Sequence, residues 1–408
     1  MRLVAGKRVI WMVIALVLSA CSTVSNKAPD KLVRHGIQRQ FLHDNQFNFN
    51  GQIRLLADQD EVKELADKVD DQVLSRKIQT MDSASSSGSV GKKHEAKINA
   101  KENKESYCAH GNSTEDCDYE NRSMNGTLSF FAKKTTVPFS GAIDIPRGKF
   151  EFVPEVRYEA SNILFSVKVP VQMNLKEKML ITDVRAFKPF ANVINAILFR
   201  ASGSAKFLDK PYFTTDLSNY LDKLPLKELM LAAPKAIDDG YAVYDEKAFV
   251  RLPVDGNGKQ IGARYRVRLN SSIAQDQVML AAVLDSLSKQ LKQSEEHDTS
   301  LNSQADQSKR KSYAVVQKLL AENRKDVLNN KLNKMEHDIV ITDFYLNDYG
   351  RLMAMHRIGE FNVDDLPIRR ILPSKNIITS FWIQFDYTSH PKFTINPVMR
   401  NKAYHTNN

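Results

Sequence analysis

The chain lacks the common signatures of catalysis. It has no Gly-x-Ser-x-Gly elbow, no His-Glu-x-x-His, and no Ser-x-x-Lys in a setting that would present a nucleophile. Serine hydrolases of the elbow type, helical zinc proteases and acyl-serine transferases are set aside on that ground. Asp255-Gly256-Asn257-Gly258-Lys259 has the look of a phosphate loop. It lacks the Gly-x-x-x-x-Gly-Lys-Ser/Thr spacing and leads into a strand pattern, so a nucleotide site is also set aside. The nine histidines are scattered, and only His110, His337, His356 and His390 fall near expected ordered elements. The adjacent carboxylates Asp238-Asp239 and Asp364-Asp365 flank expected turns, and neighbours on a strand point to opposite faces, so neither pair builds an acid–base couple. A non-enzymatic protein without cofactor or metal is the expectation.

Long apolar runs are also missing. Arg2, Lys7 and Arg8 precede an unbroken apolar run from Val9 to Leu18, and nothing past Ser22 continues it. Ten residues are too few to span a bilayer, and the order of charge, apolar run and small residues is that of a secretory signal peptide over residues 1–20. The run ends in Leu18-Ser19-Ala20-Cys21, which resembles the lipobox of bacterial lipoproteins. That resemblance implies a Cys21 carrying diacylglycerol and an N-acyl chain, several chains of which anchor a protein almost permanently at about 0.8 kcal/mol per buried methylene. Ser22, in place of an aspartate, resembles the default for the outer membrane, which implies a lipid anchor there on the periplasmic side.

Cysteine is otherwise scarce. Cys108 and Cys117 are the only others, nine positions apart. In an oxidising compartment such a pair most often forms a disulfide. Zinc held by Cys108, His110 and Cys117 is the alternative, although Cys-x-His with one distant Cys matches no common zinc spacing. Formal charge is +10, or about +7 once the three basic residues of the signal are removed. Outside the cytoplasm the partners of a basic surface are lipid head groups, wall carboxylates or acidic proteins, not nucleic acid; the plainer account is solubility.

With 42% hydrophobic residues the chain can bury a substantial core. Residues 21–45 read as a tether behind the lipid. Phe47, Phe49, Ile53 and Leu55 alternate with polar residues as a strand, and 60–81 reads as a helix, together an N-terminal unit over 46–81. Residues 82–125 are too polar to offset their ordering entropy and read as a mobile insertion carrying the cysteine loop. An α+β domain is expected over 126–395, followed by a C-terminal tail over 396–408. Within it, strands are expected around Phe139–Ile145, Phe150–Tyr158 and 179–186, then helix and loop over 189–236. Strands at 249–254 and 261–269 flank the Asp-Gly-Asn-Gly turn as a hairpin. Helices at 275–293 and 312–335 follow, split by a polar linker, and strands at 338–347, 351–358 and 377–387 close the pattern. The fold class is α+β, a long antiparallel sheet with amphipathic helices packed on its apolar face.

Two strands stand out. Arg264, Arg266 and Arg268 alternate with Ala263, Tyr265 and Val267, so three guanidinium groups project from one face. That face is either an anion-binding surface or a solvated one whose charges discourage edge pairing. Ile163, Phe165, Val167, Val169, Val171 and Met173 put six apolar residues on one side of a single strand, with Lys168 and Gln172 facing water. Pro170 marks an edge or a bulge. The stretch from Pro170 to Val184 resembles the strand–turn–strand register of tubular lipid-binding lipoproteins, with sheet-plus-helix logic like that of Lol-type carriers. The resemblance implies a non-enzymatic envelope protein that handles a lipid on Phe165, Val167, Val169 and Val171. The second expectation is an assembly factor with a closed core that contacts the cell wall or another envelope protein.

Overall fold

Period-two patterning makes most of the backbone extended. In the computed structural model, which describes residues 26–56, 134–190, 210–298, 304–329, 339–362, 376–395 and 403–406, these segments join into one large sheet. Cys21, Cys108, Cys117, His110, His337, Asp364-Asp365, the helix expected at 60–81 and the insertion at 82–125 lie outside the described residues. The strands are β1 (Gln46–Leu56), β2 (Thr135–Asp144), β3 (Lys149–Ala160), β4 (Ile163–Lys168), β5 (Val171–Asn174), β6 (Met179–Asp183), β7 (Tyr212–Asp216), β8 (Phe249–Leu252), β9 (Tyr265–Ser272), β10 (Ile339–Leu346), β11 (Leu352–Asn362), β12 (Asn376–Asp386) and β13 (Ala403–Thr406). Their order is β13-β7-β6-β5-β3-β2-β1-β12-β11-β10-β9-β8, with β4 paired to β3 off this path. Every pairing is antiparallel except β13 with β7. The α-helices of five residues or more among the described residues are α1 (Pro29–Leu42), α2 (Leu226–Tyr241), α3 (Gly256–Gln260), α4 (Ile273–Asp298) and α5 (Gln304–Asn329). The chain is α+β, with a large antiparallel sheet.

The N-terminal segment differs from expectation. Much of the span read as a tether is helix α1, started by Pro29 in its first turn with Asp30 beside it. Leu32, Val33 and Ile37 are buried in one cluster with Phe47 and Phe49 of β1, Val267 of β9 and Phe344 and Leu346 of β10. Gly36 allows this approach, because a Cβ there would meet Leu346 Cδ2 at 2.6 Å. The boundary drawn at 45/46 runs through one buried cluster, since α1 and β1 share it, and the boundary drawn at 125/126 lies outside the described residues. β1 lies inside the sheet between β2 and β12, so the expected N-terminal unit supplies an interior strand to the expected main domain. The tail over 396–408 likewise adds β13 at the far edge.

Two glycines set how tightly β1 and β2 pair. Gly51 lies opposite Phe139 and Gly141 opposite Phe49. Each phenylalanine ring covers the glycine across from it, and a Cβ on either would sit 2.3 Å from a ring carbon.

The other expected strands and helices fall close to their positions, with four differences. The span 189–236, read as helix and loop, contains strand β7, which pairs with β6 and β13. The segment 163–173 is two strands rather than one. At Pro170 the chain leaves β4, which pairs with the far half of β3, and resumes as β5 on its near half. Pro170 has no N–H to continue a ladder. The 249–269 hairpin pairs as expected, but its loop holds helix α3, because Asp255 accepts a hydrogen bond from Gly258 N–H at 2.7 Å and caps a turn of helix. Asp238 and Asp239 lie within α2, not at a turn. Arg34 of α1 donates to both oxygens of Asp238 at 2.6 and 2.7 Å, while Asp239 accepts from Lys235 and from Ser286 of α4 at 2.7 Å. The pair thus ties α2 to two different helices.

Candidate functional site

The register of five central strands puts polar side chains in a row. Directly opposed residues run Arg268 (β9), Asp343 (β10), His356 (β11), Trp382 (β12) and Gln52 (β1). Alternate positions on the same strands, Val267, Phe344, Met355, Phe381 and Ile53, belong to the core on the other face. The sheet therefore has an apolar side and a polar side over its centre.

The arginine face is not an open anion site. Arg266 and Arg268 are each only 2% exposed, and both grip Asp343. Arg266 donates from Nε and Nη2 to Oδ2 at 3.1 and 2.6 Å, and Arg268 from Nε to Oδ1 at 2.7 Å and from Nη2 to Oδ2 at 2.8 Å. Burial pushes the Asp343 carboxyl up, but the two guanidinium groups outweigh it and hold it below the usual range. Asp255 supplies a second carboxylate, 3.4 Å from Arg266 Nη1, and accepts from the Tyr345 hydroxyl at 2.8 Å. Burial drives that hydroxyl well above the ordinary tyrosine range, so it stays protonated and donates. Gly258 lets the α3 loop lie on the Tyr345 ring, since a Cβ there would sit 2.9 Å from it. Arg264 departs from the pattern: it precedes β9, is 71% exposed and lies 3.6 Å from Asp348. The expected three-arginine face is thus two buried arginines neutralised by the chain's own carboxylates and one solvated arginine.

Beside this network the polar face opens into a pocket of about 310 Å³. Its floor is His356 and Ser380, with the imidazole Nε2 and the hydroxyl 2.9 Å apart. Burial lowers the His356 pKa, with Asp343 opposing, so the neutral ring is favoured. Trp382 forms a wall, its ring centre 5.6 Å from that of His356 and 5.5 Å from that of Tyr345. Sequence inspection noted His356 but missed Ser380, Trp382, Gln52 and Gln384. The available signal was the polar member of each alternating pair in β1 and β12.

The expected apolar ligand face is also changed. Phe165 and Val167 on β4 oppose Tyr158 and Val156, and Val171 and Met173 on β5 oppose Phe152 and Phe150. These residues lie on the side of Phe139, whose ring is 5.6 Å from Phe152 and belongs to the core. They extend the apolar side of the sheet without being closed into it: Phe152, Val156 and Phe165 are exposed, Phe165 at 37%. Val169 lies between the two strands and is half-buried. Gln172, expected in water, is buried on the opposite side, where Nε2 donates to Glu151 Oε2 at 2.8 Å. Glu151 also accepts from Thr394 N, Thr394 Oγ1 and Ile395 N at 2.7, 2.9 and 3.2 Å, so it fastens the chain after β12 to the sheet. Lys168 is exposed, 3.3 Å from Glu155.

At the turn end of the β3–β5 pair lies a second cavity, a groove of about 490 Å³. Phe41 and Leu42 at the end of α1, Ile145 after β2, Leu175 after β5 and Leu226, Met230 and Leu231 of α2 line it. Leu231 is 71% exposed, and Leu42 and Met230 are exposed as well. Lys176 and Lys227 stand at the rim, and neither forms an ion pair among the described residues. The described residues contain no cluster with metal-ligand character and no helix long and apolar enough to cross a membrane. No protein-family model, curated protein or solved structure matches the chain, so the two cavities are read from their own geometry.

Proposed function

We propose that this is a lipid-anchored, non-enzymatic envelope protein, held at the outer membrane through Cys21, that binds an anionic amphiphile such as a fatty acid or an acidic lipid. The observation that carries this reading is the groove between α1, α2 and the turns after β2 and β5. Its volume falls in the range of small-molecule sites, its walls are mostly apolar, and its rim carries two lysines. An acyl chain laid along Leu42, Met230 and Leu231 would remove exposed apolar surface from water, at about 25 cal/mol per Å². Lys176 or Lys227 would meet a carboxylate or phosphate. The apolar side of β3–β5 leads from this end of the sheet, which gives a longer chain somewhere to continue. Helices laid over the rest of the apolar side would account for why the opening falls here.

The test is displacement of a dansyl-labelled fatty acid from the purified protein, with native mass spectrometry for lipid retained on purification. Saturable binding is expected, weakened at least about tenfold in Leu231→Asp, where a carboxylate would face the acyl chain. Lys176→Glu with Lys227→Glu should weaken fatty-acid binding while sparing a neutral monoacylglycerol. Binding that ignores all three substitutions would overturn the groove as the site, and no saturable binding would overturn the function.

A further inference from the structure

The pocket on the polar side of the sheet is independent of the amphiphile groove, and its chemistry is different. We infer that it is a binding site for a neutral saccharide. Four primary amides converge on it: Gln52 from β1, Gln384 from β12, and Asn257 and Gln260 from α3. Each amide carries a donor pair and an acceptor, which is the complement of vicinal hydroxyls that donate and accept together. The side chains of Asn257, Gln260 and Gln384 make no hydrogen bond within the described residues, so their capacity faces the cavity or solvent. Only Gln52 is engaged, through Oε1 accepting from Arg54 Nη2 at 3.2 Å.

Trp382 supplies the other element of sugar recognition, an aromatic surface beside the amides on which the C–H face of a ring can lie. Ser380 and His356 complete the floor with a hydroxyl and an imidazole that exchange donor and acceptor roles at 2.9 Å. The volume of about 310 Å³ corresponds to about ten waters, the scale of a single sugar ring. Charge argues against the alternatives. No carboxylate lines the pocket, so an amine would have no counter-ion there. Arg54 at the rim is its one permanent cation, too little for a phosphate taken out of water. The buried arginines beyond the wall are already held by Asp343 and Asp255. The lining carries Ile261 as its sole aliphatic side chain, and its main apolar surface is the single Trp382 ring, which suits one sugar face better than a long acyl chain.

The sequence provides a convenient probe. It contains two tryptophans, Trp11 and Trp382, and Trp11 lies in the expected signal peptide, so a protein that starts at residue 21 has the pocket tryptophan as its only one. Titration of that protein with N-acetylglucosamine, glucose and their short oligomers should give a saturable change in Trp382 emission. Asn257→Ala with Gln260→Ala removes two exposed amides without touching the core. It should raise the apparent dissociation constant about tenfold while the melting temperature stays unchanged. Absence of a saturable change with every saccharide would overturn the inference. So would a change that the double substitution leaves intact, or one that inorganic phosphate or glycine reproduces at equal concentration. Leu231→Asp in the amphiphile groove should leave the titration unaltered, which separates failure of one site from failure of the other.

Discussion

The sheet behaves differently over its two halves. Over β9–β12 and β1, the apolar side shares one buried cluster with Leu32, Val33, Ile37, Ile237 and Tyr241, and the polar side holds the Arg266–Asp343–Arg268 cluster almost wholly out of water. Over β3–β5 the apolar side is open at Phe152, Val156 and Phe165, while the other side is closed by Glu151 and the chain it fastens. One half therefore buries ion pairs beneath an ordered surface, and the other leaves aromatic and aliphatic side chains exposed. The first half keeps Phe344, Tyr345, Leu346 and Leu352 out of water, and the second leaves the apolar surface that the proposed amphiphile would cover.

Four measurements would sharpen or break that contrast. The largest effect is expected from Asp343→Ala, which removes the carboxylate that both buried guanidinium groups grip; a loss of about 3–5 kcal/mol or failure to fold should appear in urea titrations. A loss below about 1 kcal/mol would mean that the cluster is wet in solution. Next, Phe344→Ala should cost about 3–5 kcal/mol, as for any fully buried aromatic. Phe165→Ala, on the open half, should cost about 1 kcal/mol or less. Equal losses would show that the open face is covered in solution. Gly141→Ala should cost at least about 1–3 kcal/mol, because its Cβ would meet the Glu151 carbonyl oxygen of β3 at 2.1 Å as well as the Phe49 ring; a thermal melt that does not move would contradict the close approach of β1, β2 and β3.

The smallest effect concerns pH. Burial lowers the His356 pKa below its unfolded value near 6.5, so below about pH 6.5 the unfolded chain binds this proton before the folded chain does. His356 thus contributes a loss of stability that grows as pH falls from about 6.5 toward its folded pKa. Burial lowers the pKa of His35 on α1 as well, so His356→Gln should reduce the acid slope without abolishing it. Urea midpoints at about pH 7.5 and 5.5 would show this as a smaller difference in the variant than in the parent. An unchanged difference would place His356 in contact with water.

Periodicity made many elements legible. β1, β2, β9 to β12 and the long helices α4 and α5 fall near where alternation or three-and-four spacing puts them, because those signals reside in adjacent residues. The polar linker expected over 294–311 was overdrawn, since α4 runs to Asp298 and α5 starts at Gln304. Polar composition there fits a solvated helix as well as a loop. Helix α1 was missed for a related reason, its buried aliphatic side chains being only Leu32, Val33 and Ile37 in a short segment that looked like spacer.

The sites were less legible. Three alternating arginines on β9 announce a shared face from sequence alone, but not whether water or a carboxylate meets it. The answer came from Asp343, 75 residues away from Arg268, in the strand that happens to lie alongside. Trp382, His356 and Gln52 likewise become neighbours only once β12 is laid between β1 and β11.

By itself, then, the order of residues determined the alternation of each strand, the break at Pro170 and the helix-forming stretches. These depend on backbone sterics and on side chains a few positions apart. Tertiary structure alone decided which strand faces are wet, which charges are neutralised within the chain and where two cavities open. Burial and Coulomb pairing depend on distance in space, and strand order brings together residues that no local pattern relates.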